Sequence, residues 1–366
     1  MVDWNRKFRS EYDAAREALA SVAAFDPEWQ AVVAQLARLM GPEGFDVARA
    51  DALDELRRRA THGGAATRVD EAEGLLRAVA PAGEGGPVPE DARRRAAALK
   101  LLRHVHLESR SGNRGVWIVS LPGEFTDWPS SQFVDAATNL AAMRQLLAGR
   151  REHFDVAQRR WLGAATLQGL GWCQRAAMVL ADARRARAGA HAEREHARAL
   201  VRCWFAEPAA GEAALDKLVA TLARGFKDIV ASLNRGRFVI TDWVPLRGAR
   251  GQEAEFLRAE AFAFRSRSEG MDVVYVEGAF FDDLAGNVLR GQANWTRILV
   301  HELSHLVCGT HDVNDGQARY AWSGIGPHAG YPSTATIRNA DNWAFFAADC
   351  AGALTAGQRA TALRMT

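Results

Sequence analysis

The chain has 366 residues, a length that suits two domains or one large domain with an extension. Hydrophobic residues make up 48% and charged residues 25%, the ordinary balance of a globular protein. Net charge is only +2, and runs such as Arg57-Arg58-Arg59 and Arg93-Arg94-Arg95 follow acids closely, which argues against a nucleic-acid face and for solvated helix surfaces.

Residues 1–80 read as amphipathic helices: Phe8, Tyr12, Leu19 and Val22 recur at helical spacing, as do Trp29, Val33, Leu36 and Met40. The start, Met1-Val2-Asp3-Trp4-Asn5-Arg6-Lys7, lacks the apolar core of a secretory signal. The expectation is a chain that is cytoplasmic when synthesised, with no cleavable signal peptide, and any export is by a signal-independent secretion system. No stretch reaches the roughly 18 uninterrupted apolar residues of a membrane span. The run from Pro81 to Pro89 is the clearest loop, and a helix follows from about Glu90 to about Leu107. A strand is expected over 115–121, then helices over roughly 132–150, 155–188, 191–206 and 211–234. Two more strands are expected at 237–241 and 271–276. The four cysteines, Cys173, Cys203, Cys308 and Cys350, form no Cys-x-x-Cys pair, so a structural zinc knot is not expected.

The last third carries the strongest signal, His301-Glu302-Leu303-Ser304-His305. On a helix, positions i and i+4 share a face, so two imidazoles can grip one zinc ion. Glu302 projects beside them, where it can act as general base toward a zinc-activated water. Apolar residues before and after the motif pack the helix, and Gly309 suits its end. A catalytic zinc needs a third protein ligand. No glutamate occurs after Glu302, which closes the thermolysin-type solution. His311, Asp312, Asp315, His328, Asp341 and Asp349 remain as candidates. His311 stands where a metzincin would place its third histidine, although the glycine comes one residue late and no Met-turn follows.

Gly309-Thr310-His311-Asp312, the later Asn339-Ala340-Asp341-Asn342-Trp343 and the upstream Trp204-Phe205 together carry a family likeness. The stretch from about 150 to 366 resembles the deuterolysin-type aspzincin family, which includes lysine-specific metalloendopeptidases; the likeness is strongest over 200–350. The resemblance implies that Asp312 is the third zinc ligand. It also implies a tyrosine that steadies the oxyanion three residues beyond that aspartate, where Asp315 stands here. Tyr320 is the next candidate for that role and Tyr331 the second. Asp341 is implied at the site, contacting substrate or supporting a ligand. In lysine-specific members an acid follows three residues later; here that residue is Ala344, which removes the implication of lysine specificity.

The fold expected is α+β and predominantly helical. A helical N-terminal region over 1–110 precedes a zincin-like domain over 111–366 with a small sheet beside the HExxH helix. The function expected is a zinc-dependent endopeptidase acting on peptide or protein substrates. A bacterial effector or toxin with delivery machinery or an inhibitor or immunity protein as partner is one setting for it. The alternatives are a metzincin-like peptidase with His311 as ligand, or a non-catalytic helical binding protein with a relic zinc site.

Overall fold

The computed structural model describes part of residues 13–45, then 116–119, 154–184, 191–234, 238–242, 259–263, 272–312 and 319–364. The helices expected near 90–107 and 132–150, the loop at 81–89 and the candidate Asp315 lie outside the described residues. Among the described residues no helix is long and apolar enough to cross a membrane. The chain divides into two compact units.

The first unit comprises Met1–Arg160, Arg235–Glu255 and Ser268–Val276. Helix α1, Pro27–Leu39, stops where Met40 enters a two-residue strand, β1, Met40–Gly41, which pairs antiparallel with β2, Gly44–Phe45. Three further strands are β3, Val116–Val119, β4, Phe238–Thr241, and β6, Asp272–Val276. They run parallel with β4 in the middle, pairing Ile118 with Ile240 and Ile240 with Val274. Parallel strands are covered on both faces, and the sequences VWIV, FVIT and DVVYV are accordingly almost continuous runs of β-branched and aromatic residues. Ile118, Phe238, Val239, Ile240, Val273 and Val274 are fully buried.

The second unit comprises Trp161–Asn234, Phe256–Arg267 and Glu277–Thr366. It holds most of α2, Val156–Arg184, together with α3, His191–Phe205, and α4, Glu212–Asn234. The short strand β5, Ala261–Phe262, follows, and then the long helix α5, Gly291–Cys308. Three shorter helices close the chain: α6, Ser333–Thr336, α7, Ala340–Cys350, and α8, Ala356–Ala362. The helices and strands expected from periodicity at 155–188, 191–206, 211–234, 237–241 and 271–276 lie within a few residues of these observed bounds.

The core of this unit is aromatic. Trp204 and Phe205 at the end of α3 meet Phe345 and Phe346 of α7, and Phe226 of α4 packs on Trp343 at 5.2 Å between ring centroids. A Cβ at Gly225 would lie 2.4 Å from the Trp343 ring, so only glycine lets α4 approach the indole this closely. Buried polar groups are stitched across the same contacts. The Trp204 indole N–H donates to Asp349 at 2.8 Å, and the Asn342 amide donates to the Trp204 carbonyl at 2.7 Å. Each bond satisfies a group that would otherwise be desolvated without a partner. The result is a rigid seat for α7, which packs along α5.

Candidate metal centre

Helix α5 buries every residue from Thr296 to Leu306, so its two histidines and Glu302 point into the protein rather than to solvent. It ends at Gly309, whose φ of 67° is the left-handed conformation that glycine adopts at no steric cost. The Gly309 N–H closes on the Ser304 carbonyl, and Ser304 Oγ lies 2.6 Å from Thr310 Oγ1. That turn brings the chain back over the histidines. His311 is then held by its backbone: its N–H donates to the Arg338 carbonyl at 2.9 Å, and its carbonyl accepts from Ala340 N–H at 3.2 Å. The next residue, Asp312, presents its carboxylate to both imidazoles.

The distances form a triangle. His301 Nε2 and His305 Nε2 are 3.1 Å apart, and Asp312 Oδ1 lies 3.1 Å from the first and 3.8 Å from the second. Ligand atoms each about 2.0–2.1 Å from a tetrahedral zinc lie about 3.3 Å from one another. Ligand atoms of His301, Glu302 and His305 also fall within 4.8 Å of one another. Two buried oxygens at this point accept no hydrogen bond, Asp312 Oδ1 and Glu302 Oε2. Orphaned buried carboxylate oxygens beside two imidazoles are what a cation would satisfy, so the residues present fit a zinc ion.

The far side of each histidine is fixed as well. His305 Nδ1 lies 2.8 Å from the Thr310 carbonyl, which can only accept, so Nδ1 carries the proton and Nε2 presents a lone pair. His301 Nδ1 donates to Asp341 Oδ1 at 2.7 Å, which leaves Nε2 as the atom that faces Asp312 and would bind a metal in place of a proton. Asp341 sits in the first turn of α7, with its other oxygen accepting from the Ala321 N–H at 2.9 Å. Behind it Arg297, one turn before His301 on α5, is buried and reaches Asp341 at 3.4 Å and the Glu260 carboxylate.

Electrostatics follow from this crowding. Burial alone would lower the His301 pKa, but the Asp312 and Asp341 carboxylates override it and hold it well above the ordinary imidazole range. Burial would raise Asp312, but His301 and His305 hold it well below the usual carboxylate range. Asp341 is likewise held low, against its burial, by the His301 hydrogen bond and the Arg297 charge. Glu302 behaves oppositely: burial pushes it up to about 8, with His301 and Arg297 opposing and Asp312 and Glu277 adding.

Tyr320 lies in the same cavity. Its ring is nearly parallel to His301, at 6.3 Å and 18°, and its hydroxyl bonds Asp312. Burial and the neighbouring carboxylates raise its pKa, so it remains a proton donor at neutral pH. Tyr331 is elsewhere: it is fully buried, with its hydroxyl on Asn342 at 2.8 Å. His328 bonds the Gly330 N–H, and Asp349 bonds Trp204 and Arg359, so both serve packing away from the histidines. Sequence reasoning passed over Thr310, Arg297 and Glu260. The Gly-Thr step after the helix was a signal for Thr310. Glu260 and Arg297 are 37 residues apart and carry no spacing signal.

Residues 190–348 match the family model of the lysine-specific metallo-endopeptidases, the aspzincins. The match spans the aromatic core, the metal helix, Asp312 and Asp341, and the family is zinc-dependent. No curated protein and no solved structure matches the chain.

Proposed function

We propose, from the match of residues 190–348 to the family model of the aspzincin metalloendopeptidases, that this chain is a zinc endopeptidase in which His301, His305 and Asp312 hold the metal and Glu302 is the general base. The observation that carries the reading is the triangle of Nε2, Nε2 and Oδ1 atoms, with the orphaned Glu302 Oε2 beside it. The chemistry zinc supplies there is Lewis acidity, which polarises a carbonyl and makes water a nucleophile near neutral pH.

The protein groups do the rest. Glu302 Oε2, buried and without a hydrogen bond, receives a proton from the attacking water and passes it to the leaving amine. Its raised pKa places it near the pH at which proton transfer in both directions is efficient, and a bound cation draws that value down from about 8. Asp341 fixes the tautomer and ring orientation of His301 and, through the Thr310 carbonyl, the fold does the same for His305. Tyr320 donates a hydrogen bond to the developing oxyanion, turning from Asp312 as charge moves to the substrate oxygen and keeping its proton. The bond from that hydroxyl to Asp312 supports the catalytic reading over a relic, non-catalytic site.

The test is zinc-dependent cleavage of an unfolded protein substrate, lost on Glu302→Ala. Stoichiometric zinc with no cleavage, unchanged by that substitution, sinks the reading. The biological setting proposed is an effector or toxin acting on peptide or protein substrates, for which the support is the position of the family match, residues 190–348, behind a region whose sequence periodicity predicts helices. Growth on expression in the cytoplasm against the periplasm, with and without Glu302, checks it; equal growth in all four cases counts against it.

A further inference from the structure

The cavity at the metal centre, about 250 Å3, has a floor and a rim. The floor is ionic, formed by the metal-facing residues with Glu260, Arg297 and Asp341. The rim consists of two segments, the 284–288 loop and the turn that begins at Tyr320. Their side chains are partly open to solvent: Trp322 is 59% exposed and Leu284 37%. Their backbones are another matter, because both segments are held from behind by α8, Ala356–Ala362, and the residues just after it. The family match ends at residue 348, so α8 lies outside it.

Helix α8 adds little to the core. It has seven residues, of which only Ala362 is buried. A helix that short is not stable in water on its own, so its anchors hold it. Thr355 and Gln358 form a capping box at its start. Arg359 Nε donates to Asp349 Oδ1 at 2.9 Å, and the other oxygen of that buried carboxylate accepts from the Trp204 indole, which ties α8 to the aromatic core. From that seat α8 reaches both parts of the rim. Gln358 Nε2 donates to the Val288 carbonyl at 3.4 Å. The Ala362 carbonyl accepts from the Ile325 N–H at 2.8 Å. The next two carbonyls press on the turn so closely that only glycine fits beneath them. A Cβ at Gly326 would lie 2.3 Å from the Leu363 oxygen, and a Cβ at Gly324 would lie 1.9 Å from the Arg364 oxygen.

The turn held in this way carries Tyr320 at its head. Ser323 N–H and Oγ both donate to the Tyr320 carbonyl, at 2.9 and 2.8 Å, and the Ala321 N–H donates to Asp341 at 2.9 Å. Asp341 fixes the turn in front and α8 fixes it behind. Resting on the endopeptidase reading, in which Tyr320 serves the oxyanion, we propose that α8 is a positioning element of the metal centre: its terminal carbonyls hold the 320–326 turn so that the Tyr320 hydroxyl stays at Asp312. Arg359 acts through Asp349 to seat the helix, and Gly324 and Gly326 are the surface that receives it. A hydrogen-bond donor for an oxyanion works only if it is in place beforehand, and a misplacement of about 1 Å costs on the order of 10²-fold in rate.

The test follows Tyr320 itself as well as the reaction. The full chain is labelled with 3-fluorotyrosine, which gives a fluorine resonance for each of its four tyrosines, and Tyr320→Phe identifies the line of Tyr320. Gly326→Ala sets a Cβ against the Leu363 carbonyl; Gly324 is left alone because its φ of 92° would strain alanine by itself. In the zinc-loaded Gly326→Ala chain the Tyr320 line moves or broadens, while zinc stoichiometry and cooperative unfolding are kept. In the cleavage assay kcat falls on the order of 10²-fold with KM little changed, and in the Tyr320→Phe background Gly326→Ala adds no further loss. A Tyr320 line that ignores Gly326→Ala, or losses that multiply in the double variant, overturn the proposal. If Gly326→Ala prevents folding, Arg359→Ala decides, since it frees α8 from Asp349 without touching the turn. A displaced Tyr320 line then supports the proposal and an unmoved one overturns it. A wild type that cleaves nothing while the Tyr320 line still answers to these substitutions refutes the peptidase reading and leaves the positioning by α8 standing.

Discussion

The floor and the rim of the cavity are built by different physics. On the floor, α5 and α7 pack along their length, and almost every polar atom has a named partner: Asp341 for His301, Thr310 for His305, Arg297 for Asp341 and Glu260. On the rim, the 284–288 loop and the 320–324 turn expose apolar surface and hold their place through backbone bonds and a few close approaches. Buried charges tolerate little displacement, because losing one partner strands the other in a poor solvent. Exposed apolar surface has no such penalty. The proposed chemistry therefore sits where the structure is over-determined, and the rim is the part free to vary.

Substitutions can break that contrast, and the largest effect belongs to the floor. Glu302→Gln keeps the shape and removes the proposed base. The expected loss in kcat is about 10³-fold, with zinc stoichiometry unchanged by metal analysis. A loss of zinc together with activity would make Glu302 a ligand instead of a base. Removing the metal comes next. At free zinc about a hundredfold above Kd the folded state gains about 2.7 kcal/mol, so dialysis against a chelator lowers Tm and added zinc restores it. An unchanged Tm would mean that the triangle of His301, His305 and Asp312 does not bind the ion. Asp341→Asn is the third case. It leaves α7 in place but weakens the hold on His301, and zinc affinity falls about 10–100-fold by competition with a chromogenic chelator. The smallest effect is on the rim: Leu284→Ala changes KM for a peptide substrate by about threefold and leaves zinc affinity where it was. A matching fall in zinc affinity would show that rim and floor are one unit after all.

Much of the floor was legible in the chain. The i and i+4 histidines, the intervening Glu302, the stop at Gly309 and the absence of later glutamates are all local facts, and a helix turns local spacing directly into a shared face. The same is true of α2 to α4 and of the three parallel strands, whose runs of apolar residues carry their own period. Tyr320 was harder, because the expected spacing after Asp312 holds Asp315 instead and loops have no period to count along.

Sequence alone placed His301, Glu302 and His305 together on one helix, where the structure has them within reach of one point. It also limited the third ligand to a short set of histidines and aspartates. Tertiary structure alone decided that Asp312 turns back onto both Nε2 atoms, that Asp341 stands behind His301, and that Arg297 neutralises Glu260 and Asp341 together. The physical reason is range. Helical geometry acts over four residues, whereas the pairing of Glu260 with Arg297 and of Arg297 with Asp341 spans 37 and 44 positions and exists only once the aromatic core has seated α7 against α5.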